Sequence, residues 1–128
     1  MILKGSFDVK VISSETFDSS EGIELGRMRL AKIFHGALEA TSTVEMLSAR
    51  GEIKNSAGYV ALERVSAKIE GRSGSFVLQH SGTMNRGKSH LDLHVVADSG
   101  TGELKGLSGS MSIDIVEGKH FYTFDYAL

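Results

Sequence analysis

At 128 residues, with 41% hydrophobic and 23% charged side chains, the chain has the proportions of a single globular domain spanning residues 1–128. Its formal net charge is −2 and its lysines and arginines are scattered, which argues against a nucleic-acid partner, whose phosphates require a basic stripe. The absence of cysteine removes disulfides, zinc–thiolate sites and thiol nucleophiles, and no apolar run approaches the roughly 20 residues that span a bilayer.

The N-terminus, MILKGSFDVK, lacks the apolar stretch of a signal peptide, so a cytoplasmic location and no membrane partner are expected. Within SFDVKVI, Phe7, Val9 and Val11 alternate with Asp8 and Lys10, the mark of a half-buried strand. SSETFDSSEG (13–22) reads as a polar connection. Residues 25–50 are ambiguous in period. Met28, Leu30, Lys32 and Phe34 alternate as in a strand, whereas Leu25, Met28, Ile33, Phe34 and Leu38 would stripe a helix. Gly36 divides the segment and the β-branched run at Thr41–Val44 favours two strands.

The pattern is cleaner from residue 57 onward. One face of GYVALERVSAKIEG carries Tyr59, Ala61, Glu63, Val65, Ala67 and Ile69, and SFVLQHSG places Phe76, Leu78, His80 and Gly82 together. A turn with Arg72 and Ser73 at its tip would set Ile69 opposite Phe76, Val65 opposite His80 and Glu63 opposite Gly82, with the apolar faces coinciding. Around a Glu117-Gly118 turn, Ile115 meets His120, Ile113 meets Tyr122, Met111 meets Phe124 and Gly109 meets Tyr126. Strands near 90–96 and 102–108 bring the count to about eight. Fifteen glycines and no proline leave the bends to glycine. The expected fold is all-β, an antiparallel barrel of about eight strands.

Three local motifs fail in this context. Residues 82–89, GTMNRGKS, match a phosphate-binding loop in letters. That loop works by ending at a helix N-terminus, and here HLDLHVV alternates as a strand. His90, Asp92 and His94 project from one strand face, but Leu91, Leu93 and Val95 claim the core side, so no metal site is expected. SGTGELKGLSG (99–109) lacks dinucleotide-loop spacing, and its glycines read as barrel bends. No cofactor is called for.

What remains is polar residues on apolar faces. Glu63 and His80 are diagonal neighbours on adjacent strands, close enough for a hydrogen bond, and such a pair can serve as general acid and base. Tyr59, Phe76, Gly82, Tyr122 and Tyr126 are the candidate ligand-binding positions on inward faces. On this reading Glu63→Gln abolishes binding or activity and leaves the fold intact. Outward Val60, Leu62 and Val77 point to a homo-oligomer, a dimer or trimer.

The blocks GYVALERVSAKIEGRSGSFVLQHSG, ADSGTGELKGLSGSM and EGKHFYTFDYAL resemble a bacterial family of uncharacterised proteins, domain-of-unknown-function family 3224, over essentially the whole chain. The resemblance implies an allene oxide cyclase-like barrel, a fold shared with dirigent proteins: eight antiparallel strands around an interior cavity. The cyclases imply a cavity that folds a lipid-derived epoxide with help from a buried carboxylate, which no motif aligns to a residue here. Ala40 and Ala67 stand where the family pattern has glycine. Three readings follow: a barrel binding a small, largely apolar molecule; a cyclase or isomerase using Glu63 and His80; or a filled structural barrel that oligomerises.

Overall fold

Four of the seven strand connections are two-residue turns of one kind: Glu21-Gly22, Glu70-Gly71, Arg86-Gly87 and Glu117-Gly118, with φ positive at both positions. This is the geometry whose twist matches a right-handed hairpin, and it explains why glycine occupies every second position. The computed structural model describes residues 1–128. It contains β1 (Ile2–Ser20), β2 (Ile23–Gly36), β3 (Leu38–Arg50), β4 (Ala57–Ile69), β5 (Arg72–Asn85), β6 (Lys88–Val95), β7 (Ser108–Val116) and β8 (Lys119–Ala127). They form a closed antiparallel barrel in chain order.

Several expectations are corrected. Residues 13–20 continue β1 rather than connecting strands; their alternation is hidden because both faces are exposed. Val9 and Val11 share the face of Phe7, yet only Phe7 is buried, because β8 pairs with β1 only from Ile2 to Phe7. The strand expected near 102–108 does not form: Gly102–Leu104 make a 3-10 turn and β7 begins only at Ser108. The β4–β5 turn lies at Glu70-Gly71, so Val65 faces Phe76 and Glu63 faces Leu78. That register differs from the expected one by an even number of residues, so every side chain keeps its face. The β7–β8 register is as expected, and residues 25–50 form two strands.

Unequal seams give the barrel one closed end and one open end. β6 and β7 share a single pair, His94 with Ser110, whereas β1 to β5 pair along most of their length. At the closed end the 96–107 connection runs along β5, where Thr101 and Ser99 bond the backbone of Ser75 and Val77. It inserts Leu104 and Leu107 into the core. Phe76 stacks on Phe124 at 5.8 Å and Phe124 on Tyr126 at 5.6 Å, while Phe34 meets Tyr122 edge-on.

Tyr122 clips this end shut. Its hydroxyl accepts from the Leu38 N–H and donates to the His35 carbonyl, both at 2.9 Å, tying β8 to the β2–β3 turn. Gly5 makes room, since a Cβ there would collide with the His35 carbonyl and the Tyr122 hydroxyl. Tyr122→Phe strands both partners and is expected to cost about 1–3 kcal/mol. Urea denaturation measures it; an unchanged midpoint would refute the clip.

Candidate functional site

Strands in a barrel tilt against its axis, so residues at one height lie on a diagonal across the sheet. Lys32 on β2, Ser42 on β3, Glu63 on β4 and His80 on β5 follow such a diagonal. Lys32 is opposite Ser42, while Glu63 sits two positions from the partners of both Ser42 and His80. All four are buried. Ser42 donates to Glu63 Oε2 at 2.6 Å, and Lys32 Nζ and His80 Nε2 reach Oε1 at 3.2 and 2.7 Å. Lys32 Nζ also lies 4.7 Å from the centre of the Phe7 ring.

Burial by itself would raise the Glu63 carboxyl. The His80 hydrogen bond, the Lys32 charge, the Ser42 hydrogen bond and the His80 charge outweigh it and hold the group below its ordinary value. Glu63 is therefore a carboxylate and can only accept, so His80 carries its proton on Nε2. The ring is bonded only through Nε2, which leaves Nδ1 without a side-chain partner. A neutral ring presents Nδ1 as an acceptor and an imidazolium presents it as a second donor.

This polar level divides the interior. Below it lies the large core of the closed end; above it Leu30, Val44 and Ala61 form a smaller cluster with Met28, Met46 and Tyr59 against it. The mouth beyond holds a cavity of about 520 Å³, lined in part by Met46, Ser48, Tyr59, Gly82, Leu91 and Ile113. It reaches the seam where β6 and β7 part. Tyr59 forms part of its lining. The ring lies where a Cβ on residue 82 would stand, with its centre 6.3 Å from that of His80. Burial, then the Glu63 charge, pushes the Tyr59 phenol up, so it stays protonated. Depressions of about 580 and 670 Å³ on the outer wall of β2–β5 have His80 in the lining of the first and Lys32 and Ser42 in that of the second.

The candidate residues separate into two groups. Glu63, His80, Tyr59 and Gly82 come together beneath and around the mouth. The space that Gly82 leaves is taken by Tyr59 rather than left open. Phe76, Tyr122 and Tyr126 belong to the closed-end core. Sequence reasoning missed Lys32 and Ser42 as partners of Glu63. Their signal was present: Lys32 alternates with Leu30 and Phe34, a lysine on a core face. His90, Asp92 and His94 point outward, with His90 bonded to Asp92 at 3.2 Å.

The fold and site define a class: a closed all-β barrel with a buried ion pair and histidine beneath an open apolar mouth. The family model "Protein of unknown function (DUF3224)" matches residues 3–126, and the chain belongs to that family. It is similar to a crystal structure of a DUF3224-family protein of unknown function from Shewanella oneidensis MR-1. The two share 50% identity with a TM-score of 0.94, over 100% of this chain and 96% of that one. No curated protein matches the chain.

The ion pair overturns the idea that Glu63→Gln is neutral for the fold. Alone it leaves a buried ammonium unpaired, an expected cost of about 3–5 kcal/mol, whereas Lys32→Met with Glu63→Gln recovers much of it. Because the folded Glu63 carboxyl lies below its ordinary 4.5, its contribution is full above that pH and is lost as pH falls through the folded value. Stability measured from pH 7 to 3 should therefore drop more steeply below 4.5 in the native protein than in the double variant. Parallel curves would refute the pair's ionisation.

Proposed function

We propose that this protein binds a small, largely apolar molecule in the mouth of the barrel, an allene oxide cyclase-like arrangement. One observation carries the reading: a cavity in the barrel mouth whose lining includes Tyr59, with the ring of His80, held by the buried Glu63 carboxylate and its lysine partner, 6.3 Å from the Tyr59 ring. The cavity volume, about 520 Å³, lies within the range typical of small-molecule sites. Met28 and Met46, side by side on β2 and β3, supply adaptable apolar surface.

A second reading, a cyclase or isomerase, is favoured by the Glu63–His80 pair. Glu63 keeps the imidazole in one tautomer, so Nδ1 can take a proton from the bound molecule and return it at another atom. No redox cofactor enters such a step.

Native mass spectrometry on protein purified gently from its own host tests both. Extra mass per subunit is expected, and Ser48→Trp, which fills the mouth without touching the core, should remove it. A carrier shows the same adduct in native protein and His80→Gln; an enzyme shows a different, unconverted adduct in the variant. Adduct retained in Ser48→Trp would exclude the mouth as the site.

For the outer wall we propose a second copy of this chain as occupant. Leu47, Val60 and Leu62 are 44%, 53% and 54% exposed, and Arg29 is already paired with Glu45 at 2.8 Å. The patch is thus apolar with a charge-balanced rim, suited to an isologous contact. Leu62→Lys should convert an oligomer to monomer in light scattering; a monomeric native protein would refute this.

A further inference from the structure

The two strands that part at the mouth match each other beyond the point where they part. His94 pairs with Ser110, and there the pairing of β6 with β7 stops. Continuing that register toward the mouth sets Leu93 opposite Met111, Leu91 opposite Ile113 and His90 opposite Asp114. The apolar pairs fall on the inner face and the imidazole–carboxylate pair on the outer one, with no like charges opposed. The strands also run out together, since Lys88, the first residue of β6, falls opposite Val116, the last of β7. Neither the β5–β6 turn nor the β7–β8 turn requires them to end level.

The mouth cavity lies in this gap. Its lining takes Leu91 and Ile113 from the inner faces of the two strands and His90 and Ser112 from the outer faces. The space therefore passes through the wall between them. Ile115 shares the face of Met111 and Ile113, yet it is 66% exposed because no strand stands beside it.

One side of the gap is held and the other is free. The β5–β6 turn is anchored to the 51–56 connection: the Gly87 N–H donates to the Asn55 carbonyl and the Arg86 N–H to the Ser56 hydroxyl, both at 2.9 Å. Residues 112–119 of the β7–β8 hairpin, by contrast, hydrogen-bond only within that hairpin. Pairing six more residues across the seam would add about six backbone hydrogen bonds, two for every second pair.

We infer that the β7–β8 hairpin is a door to the mouth: residues 111–116 pair with 88–93 in the His94–Ser110 register and shut the wall over a bound molecule. The door's role in entry rests on the binding reading above; the pairing itself does not. Closure brings Leu91 against Ile113 and covers Ile115, so an apolar occupant resting on these side chains favours the shut state.

The chain has no cysteine, so an engineered pair reports without interference. His90→Cys with Asp114→Cys places two outward thiols directly opposite each other in the shut state, whereas His90→Cys with Ser112→Cys is two residues out of register. Under oxidised glutathione the first pair is expected to form its disulfide about tenfold faster, because opposed residues meet the required separation and diagonal ones exceed it. Equal rates, or no disulfide in the first pair, overturn the closure. Loaded with the uncharged fluorophore N-phenyl-1-naphthylamine and then cross-linked, the first variant should release it about tenfold more slowly than its reduced form. Unchanged release from the cross-linked protein overturns the door and leaves the binding reading standing. A reduced protein that does not take up the fluorophore overturns the binding reading, while the two cross-linking rates still decide the pairing.

Discussion

The Glu63 carboxylate is the interaction around which the interior is arranged. A carboxylate without exposure survives only when donors replace its water, and here three strands each deliver one: Lys32 from β2, Ser42 from β3 and His80 from β5. The arrangement constrains the barrel as much as the barrel constrains it. A one-residue slip at any of these seams would turn a donor outward and leave a buried charge unmatched, so the polar level specifies register where an all-apolar interior would tolerate error.

That level also explains why one end of the molecule is filled and the other is open. Aromatic rings, Leu104 and Leu107 occupy the closed end, and the Tyr122 clip ties its strands together. Above Glu63 the interior side chains are fewer and more adaptable, and the short β7–β8 hairpin leaves the wall incomplete. A buried charge cluster at the base of a gap is a poor choice for stability alone, since well-packed apolar residues would serve as well or better. Its position fixes the His80 ring beside Tyr59, which lines the mouth.

Much of this was legible along the chain. Alternation placed Glu63 and His80 on inward faces, and their diagonal relation holds in the observed register although the turn was expected two residues later. The error of an even number of residues moved His80 from one side of Glu63 to the other without changing its face. The Glu-Gly turn was read at 117–118 but not at 21–22 or 70–71, where Ser, Thr and Arg nearby looked equally turn-like. The β1 extension escaped notice because a strand exposed on both sides has no reason to alternate.

The sequence by itself determined which way each β4, β5, β7 and β8 side chain points, because alternation in a strand is a local property of the pleated backbone. It also determined the β7–β8 register, through a two-residue turn that permits only one pairing. Only the tertiary structure decided that Lys32 and Ser42 converge on Glu63, that Tyr59 covers Gly82, and that Phe76, Tyr122 and Tyr126 fill the closed end. Those meetings depend on strand tilt and seam length, which closure of all eight strands sets together and no single segment encodes.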